Sequence, residues 1–277
     1  MHASSDQKVW MIPGFSQLGC ALAERTLKAG DLVALILRRK DDAWAKFSQQ
    51  YSDSCMLLSF DPAEKGECYA AIASIVYKWK KIDVVVNYTT KTHNGTIEDV
   101  DETDLHRQVR NTFYSAVNTM EAAIPIMESQ GFGHIINVID INGSLGTASL
   151  GPCCTSMFAL KGYSESVGLA VARKGIKVTV VQTPMEVTLI TNPKQFSPLS
   201  KKYDNTITHA TRDLMLRSNL FPENSFSDTL FAISYVAGTK DPPLRLVIGT
   251  DVVEQLKDQL SAISEDLDEF AENEEES

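Results

Sequence analysis

The sequence contains no apolar run that approaches the roughly 20 residues needed to cross a bilayer as a helix. Its five cysteines form no Cys-x-x-Cys pair and no metal-binding spacing with a histidine. An odd and scattered set of cysteines is typical of reduced thiols inside a cell. The first seven residues are polar and lack the apolar core of a secretory signal. We therefore expect a cytoplasmic protein without a bound structural metal.

The chain also lacks a surplus of basic residues, since it carries 26 basic and 36 acidic residues and a formal net charge of −10. Residues 251–277 hold eleven of the acids and one base, Lys257, so this segment accounts for the whole net charge. The remaining 25 acids and 25 bases balance in residues 1–250. A neutral body is not expected to bind nucleic acid or an anionic membrane. We interpret the acidic end as a solvated segment that aids solubility, with binding of a basic partner as the alternative.

Short apolar runs alternate with helical patterns along the chain. The runs predict strands at 8–12, 32–37, 56–60, 82–87, 134–139, 176–181 and 244–248, with helices near 20–29, 64–79, 103–129 and 152–173. Strands that alternate with helices indicate β-α-β units and a parallel sheet. Residues 84–86 are all valine, as expected of a strand covered on both faces. We predict an α/β fold with a doubly wound parallel sheet, in a single domain spanning residues 1–271.

The region from 185 to 227 interrupts this alternation. It is polar, contains three prolines, and would lie beyond the carboxyl ends of the strands, where ligands bind in open α/β sheets. We expect either a lid or substrate loop here, or an ordinary surface insertion. Apolar residues from Val253 to Phe270 then recur at alternating spacings of three and four, which predicts an amphipathic helix that docks on its own domain or pairs with another subunit. Residues 272–277 are predicted to form a disordered acidic tail.

Several segments together resemble the short-chain dehydrogenase/reductase family. The resemblance rests on Val9–Gly14, Leu37–Arg39, Ile82–Asn87, Gly133–Val138, Phe158–Ser166, Gly175–Val181 and Asp241–Leu246. It runs from about residue 8 to 271 and is weakest in 185–227. It implies a Rossmann-type sheet, proton-coupled hydride transfer with a nicotinamide cofactor, and a homodimer formed through the helices near 103–129 and 152–173. Because a fold alone does not establish function, each functional position has to match by itself.

The phosphate-binding turn of the family reads Thr-Gly-x-x-x-Gly-x-Gly, and its glycines let the backbone approach the pyrophosphate at a helix N-terminus. This chain keeps the first and last glycines as Gly14 and Gly19, loses the middle one and is one residue shorter. Pro13 replaces the threonine and removes a backbone N–H, while Phe15 adds bulk. We expect the turn to connect its strand to its helix but to bind phosphate poorly.

Other cofactor positions are partly kept. Arg38 and Arg39 follow the second strand, where the resemblance implies a contact with the 2′-phosphate of NADP; adjacent arginines at a strand end are also common surface residues. Asp61 matches the aspartate that contacts adenine. Asn87 keeps the first position of the family's Asn-Asn-Ala-Gly site, which continues here as Tyr-Thr-Thr, and Thr188 keeps a threonine near the nicotinamide. The resemblance therefore implies NADP as the cofactor, provided that a dinucleotide binds at all.

The catalytic tetrad of the family consists of Asn, Ser, Tyr and Lys. The asparagine is present as Asn111. Residues 133–162 align with the family without a gap, which puts Asp140 at the serine position, Cys153 at the tyrosine position and Met157 at the lysine position. The spacing of four residues between Cys153 and Met157 is the spacing of neighbours on one helix face.

The substitutions remove the chemistry of the tetrad. The tyrosine transfers the substrate proton, and the lysine holds the ribose and lowers the phenol pKa from about 10. Met157 has neither a charge nor a donor and can do neither. Lys161, one turn further along the same helix, is interpreted as a surface lysine rather than a replacement. Ordinary carbonyl reduction by this tetrad is therefore not expected.

Three hypotheses account for these substitutions. The first is a non-catalytic relative that binds a small molecule or a protein partner. The second is an isomerase or cyclase that transfers protons without hydride through Asp140 and Cys153, whose thiol pKa would be lowered in the first turn of a helix; alternatively, Cys153 is a small buried residue that fills the space of the lost ring. The third is an NADP-dependent reductase in which the substrate or water supplies the proton.

Overall fold

The fold is a parallel sheet with helices on both faces, seen in a computed structural model that describes residues 6–14, 16–37, 47, 49–51, 53–88, 92–185, 196–198, 200–216 and 225–275. The described strands are β1 Val9–Pro13, β2 Leu32–Leu37, β3 Cys55–Ser59, β4 Val84–Tyr88, β5 Gly133–Asp140, β6 Ile176–Thr183 and β7 Arg245–Val247. They are ordered β3-β2-β1-β4-β5-β6-β7, and every neighbouring pair is parallel. The predicted α/β fold with a doubly wound parallel sheet is confirmed.

Helices cover the two faces of the sheet. They are α1 Gln17–Lys28, α2 Lys65–Trp79, α3 Glu102–Val109, α4 Ser115–Gln130, α5 Gly151–Val171, α6 Ile207–Leu216, α7 Ser225–Gly238 and α8 Thr250–Glu275. One hydrophobic core lies between the sheet and α2, α4 and α5, and the other lies between the sheet and α1 and α7. The strand β4 shows why both faces are apolar, because Val85 belongs to the first core while Val84 and Val86 belong to the second.

The strand order reverses beside β1, which pairs with β2 on one side and with β4 on the other. The connection after β1 leads to α1 on one face, and the connection after β4 leads to α3 and α4 on the opposite face. A crevice opens at such a point outside the carboxyl ends of the strands, and ligands bind there in open α/β sheets. The fold therefore places the Gly14 turn and the end of β4 at one site.

The helix predicted near 103–129 is interrupted. Between α3 and α4 the backbone forms a π-helical turn, Arg110–Tyr114, which contains Asn111. Turns of this kind inside α-helices occur frequently at functional sites. The apolar periodicity carries through the interruption, so it could not reveal the change in hydrogen bonding.

The region 185–227 contains helical structure where it is described. It includes α6 and the first residues of α7, and α7 was not predicted from the sequence. At the end of the chain, α8 continues to Glu275, so the predicted disorder from residue 272 is wrong over 272–275. Alanine and glutamate favour helix even without packing, which accounts for the continuation. Among the described residues, no helix is both long and apolar enough to cross a membrane.

Candidate functional site

A cleft of about 470 Å³, counting its open mouth, lies at the switch point between β1 and β4. Its described lining consists of Pro13, Ile36, Pro62, Val86, Asn87, Tyr88, Asn111, Thr112, Ser115, Ala116, Thr119 and Leu160. None of these lining residues is charged. The lining is instead apolar with a few amides and hydroxyls, the composition typical of a site for a small organic ligand.

The turn between β1 and α1 forms one end of this region. A Cβ atom on Gly19 would lie 1.7 Å from the carbonyl oxygen of Pro13, so only glycine lets α1 approach the end of β1 this closely. Ser16 caps the helix by accepting a hydrogen bond from the N–H of Gly19 at 3.0 Å. The N–H of Gly19 is therefore already hydrogen-bonded to Ser16. The N–H groups of the first two residues of α1 have no acceptor within the helix. Phe15 lies outside the described residues.

Asn87 does not point a free amide into the cleft. Its side chain accepts a hydrogen bond from Thr119 at 2.6 Å and donates one to Asn137 at 2.8 Å. Asn137 donates in turn to Ser164 at 2.7 Å, and Ser164 donates to the carbonyl of Leu160 at 2.5 Å. The chain of bonds is buried and links β4, α4, β5 and α5. Asn137 and Ser164 were not singled out in the sequence, because their partners lie far away along the chain.

The expected adenine contact is engaged in an ion pair. Asp61 lies 3.2 Å from the guanidinium of Arg110, which also pairs with Glu64. These side chains are largely solvent-exposed, and the neighbouring Pro62 lines the cleft while Asp61 does not. The predicted cofactor contacts Arg38, Arg39 and Thr188 lie outside the described residues.

Two of the tetrad positions lie at the ends of their elements. Asn111 lines the cleft from the π-helical turn. Asp140 ends β5 and is buried, and its carboxylate accepts a hydrogen bond at 2.8 Å from the backbone N–H of Asn142. The carboxylate thereby caps the short turn that follows the strand. This local role explains how an acidic residue is held at the position where the family has serine.

Cys153 and Met157 lie in the core rather than in the cleft. Their exposed fractions are 0% and 2%, and their sulfur atoms are 3.9 Å apart on successive turns of α5. Burial raises the pKa of the Cys153 thiol well above its ordinary value, and the nearby carboxylate of Asp140 raises it further. The predicted lowering of this pKa by the helix N-terminus is therefore wrong, because desolvation outweighs the helix dipole. The side chain instead fills core volume.

Lys161 is hydrogen-bonded within the fold. Its ammonium donates a hydrogen bond to Ser144 at 2.6 Å, and Ser144 donates to Gln182 at 3.2 Å. Burial lowers the pKa of Lys161, so its interpretation as a surface lysine was wrong in part: the side chain is half-buried. It is absent from the described lining of the cleft.

A histidine that was not singled out in the sequence connects the region 185–227 to the body. The Nε2 atom of His93 lies 2.9 Å from the hydroxyl of Ser197 and 3.2 Å from the carboxylate of Asp104. Both partners contact the same ring nitrogen, whereas a catalytic triad uses the two nitrogens for different partners. We therefore assign this cluster a structural role. Among the described residues, no group of three or more His, Cys, Asp and Glu side chains could hold a metal ion.

Comparisons with known proteins agree with this fold. The family model described as short chain dehydrogenase matches residues 8–196. The oxidoreductase BOA17 of Botryotinia fuckeliana is 29% identical over 250 residues, which are 89% of this chain and 90% of that protein. A 3-ketodihydrosphingosine reductase of Bacteroides thetaiotaomicron is 28% identical over 184 residues, covering 65% of this chain and 67% of the relative.

Solved structures show the same architecture. A short-chain dehydrogenase from Streptomyces avermitilis superposes with a TM-score of 0.85 at 26% identity, covering 98% of both chains. Actinorhodin polyketide ketoreductase, solved with NADPH, has a TM-score of 0.73 at 19% identity and covers 90% of this chain and 98% of its own; at this identity the likeness concerns the fold alone. The matched family model spans more than half of the chain, and the protein therefore belongs to the short-chain dehydrogenase family.

Proposed function

We propose that this member of the family binds a nucleotide-like small molecule in the switch-point cleft without carrying out the family's ordinary proton-coupled hydride transfer. The observation that carries the proposal is the buried pair of sulfur atoms, Cys153 and Met157, at the positions of the tyrosine and the lysine. Neither side chain belongs to the lining that the described residues form. Such a protein would act by binding a small molecule or a protein partner and not by catalysis.

The chemistry of carbonyl reduction requires a proton donor beside the developing alkoxide. The Cys153 thiol is enclosed in the core and has a raised pKa, so it is neither placed nor tuned for this role. Met157 cannot hold a ribose hydroxyl, since a thioether has no donor. The Asp140 carboxylate is occupied by the backbone of Asn142 and, if ionised, would repel the oxyanion.

The residues of the cleft suit the adenosine end of NADP better than its nicotinamide end. At the adenosine end, Ile36, Pro62 and Val86 leave an open apolar cleft, and α1 presents its N-terminus close to β1. At the nicotinamide end, the position of the family's lysine is taken by Met157, which is buried and has no donor for a ribose hydroxyl. A metagenomic short-chain oxidoreductase solved with NADP shares this fold. We therefore propose binding through the adenosine portion and derive no step of catalysis from the nicotinamide.

A second candidate is an NADP-dependent reductase in which the substrate or water supplies the proton. One observation favours it: Asn111 lines the cleft from a π-helical turn. In the family, the asparagine at this position supports a proton relay. The names of the relatives, an oxidoreductase and a reductase, agree with it. The proton-transferring isomerase or cyclase that uses a Cys153 thiolate has no such support, because the pKa of Cys153 is raised.

Titration calorimetry with NADPH, NADH and ADP-ribose tests the proposal on the full chain, together with NADPH oxidation in the presence of a panel of aldehydes and ketones. ADP-ribose and NADH differ only by the nicotinamide, so we expect these two to bind with similar affinity, and we expect no carbonyl-dependent oxidation. A turnover number in the ordinary enzyme range, about 1 per second or more, would overturn the proposal. Absence of binding by all three nucleotides would equally overturn it.

A triple variant, Asp140→Ser with Cys153→Tyr and Met157→Lys, separates the two candidates further. If the cleft still positions a substrate for reduction, restoring the side chains should raise a measurable activity by about 100-fold or more. Under the proposed function, the triple variant should show no more reductase activity than the wild type. Far-UV circular dichroism of the variant is the control for folding, and Asn111→Ala in the wild-type background is the matched change that should abolish any reductase activity of the second candidate.

A further inference from the structure

The last helix, α8, leaves the body of the protein after its first two turns. Val252 is buried and Val253 and Leu256 are half-buried, so the start of the helix is docked. From Leu260 onward every described side chain is exposed. The helix nevertheless continues to Glu275. A helical segment of this length without a packed apolar face is only marginally stable in water.

The projecting part keeps the apolar stripe of the docked part. Leu260, Ile263 and Leu267 are exposed by 65%, 46% and 65%, and they continue the spacing of three and four that begins at Val253 and Leu256. This spacing puts all of them on one face of the helix. The stripe is therefore built like a helix interface, and its second half has no cover within the described part of the chain.

The charge around the stripe determines which partner fits. Consecutive residues of a helix lie about 100° apart, so Asp266 and Asp268 flank Leu267 on its two sides. Residues 251–277 carry eleven acids against the single base Lys257. Acidic residues at the C-terminal end of a helix also oppose its dipole. A second copy of α8 would bring the same surplus of negative charge, whereas a basic segment would neutralise it.

We propose that the exposed face of α8 from Leu260 to Leu267 is a docking surface for a basic amphipathic helix of a partner protein. Apolar side chains of the partner cover Leu260, Ile263 and Leu267, and lysines or arginines beside them lie against Asp266 and Asp268. Binding stabilises the end of α8, because it adds tertiary contacts to the exposed apolar stripe. The surface is independent of the cleft, so it holds whether or not the cleft binds a nucleotide.

Two synthetic helical peptides of 21 residues test this surface on the full chain. Both have leucine at the apolar positions; one has lysine and the other glutamate at all flanking positions. Fluorescence anisotropy in 0.15 M salt should show binding of the lysine peptide and binding at least about tenfold weaker for the glutamate peptide, and added salt should weaken the former. Equal affinity for the two peptides would overturn the proposal.

Point variants separate docking on the stripe from attraction to a merely acidic surface. The double variant Leu260→Ser and Leu267→Ser keeps every charge and should weaken binding of the lysine peptide by about tenfold or more. Tyr77→Ser, which removes a side chain that is 83% exposed on α2, is the matched control and should change nothing. Unchanged affinity in the α8 variant would show non-specific charge attraction and would overturn the proposal.

A second copy as the occupant is tested by sedimentation velocity at neutral pH. We expect the association state of the wild type and of the Leu260→Ser, Leu267→Ser variant to be the same. If the variant dissociates an oligomer that the wild type forms, the stripe binds another copy of this chain and the proposal is wrong. Circular dichroism of both proteins should show the same thermal transition, since the exchanged side chains are exposed.

Discussion

The four predicted tetrad positions lie in different surroundings in the fold. Asn111 stays at the cleft, while Cys153 and Met157 fill the core and Asp140 caps a turn. Asp140, Cys153 and Met157 are all buried in the fold. Their positions could be predicted, because the chain aligns with the family without a gap between Gly133 and Gly162. Burial of Cys153 was one of two alternatives that the sequence left open, and burial of Met157 was not predicted, because burial depends on neighbours from other elements.

Cysteine reactivity tests this assignment directly. Iodoacetamide at pH 8 should not label Cys153 in the folded protein, because burial both blocks access to the thiol and raises its pKa. Cys20 is only half-buried and should react first, although burial also raises its pKa. Mass spectrometry of the peptides gives the order of labelling. In urea all five cysteines should react alike. Labelling of native Cys153 as fast as Cys20 would contradict its placement in the core.

The buried asparagine chain makes a second prediction at this scale. Asn137→Ala removes the acceptor of the buried Asn87 amide and the donor to Ser164. Asn87 keeps its bond from Thr119 and Ser164 keeps its bond to Leu160, so the Asn87 N–H is the group left without its partner. We expect the free energy of unfolding to fall by about 2–3 kcal/mol, because a buried polar group without a hydrogen bond destabilises the folded state. Urea denaturation measures the change, and Ser166→Ala on the exposed side of α5 should be within about 0.5 kcal/mol of wild type. A neutral effect of Asn137→Ala would show that water replaces its bonds.

At the scale of elements, the strands were easier to predict than the connections. The all-valine run in β4 is apolar on both faces, so its burial follows from composition. In contrast, α7 was missed because it begins inside a polar region with prolines. The π-helical turn Arg110–Tyr114 was missed because its side-chain pattern is that of a continuous helix. Periodicity reports which face is buried and not how the backbone is bonded.

The contact between α1 and the end of β1 depends on one glycine. Gly19→Ala would place a Cβ atom 1.7 Å from the Pro13 carbonyl oxygen, so the helix must move away from the strand. We expect a loss of about 2–3 kcal/mol in the free energy of unfolding and weaker binding of any nucleotide, both measurable by urea denaturation and calorimetry. Gly66→Ala in the first turn of α2 is the matched control: nothing lies within 4 Å of its Cβ. It should leave stability unchanged or raise it by up to about 1 kcal/mol.

At the scale of the whole molecule, the parallel sheet could be inferred from the alternation of strands and helices, whereas the contacts between distant segments could not. The bond between His93 and Ser197 joins residues 104 positions apart. Nothing in the local sequence of either residue indicates the other. The same holds for Lys161 and Ser144, which meet because α5 packs beside the segment that follows β5. The periodicity of a sequence does not indicate which distant polar residues meet, so these contacts become known only from the structure.

The response of global stability to acid depends on one buried histidine. Burial, together with Lys8 and Lys177, lowers the pKa of His134 to about 4, while its imidazole bonds Thr179 at 2.9 Å. In the unfolded chain this pKa is about 6.5. Between these values the unfolded state binds a proton that the folded state refuses, so His134 favours folding fully above pH 6.5, and this contribution disappears as the pH falls toward 4. The difference amounts to about 3 kcal/mol at most.

Urea denaturation at a series of pH values isolates this contribution by comparing the wild type with His134→Gln. Other groups titrate in the same range, so the expected result is a difference: the loss of stability between pH 7 and pH 4.5 should be smaller in His134→Gln by about 2 kcal/mol. His106→Gln provides the matched substitution at the surface, since the His106 side chain is 73% exposed, and its pH series is compared with that of His134→Gln. If His134→Gln follows the wild-type curve, then His134 accepts its proton within the fold, and its site beside Thr179 must open to water well before the protein unfolds.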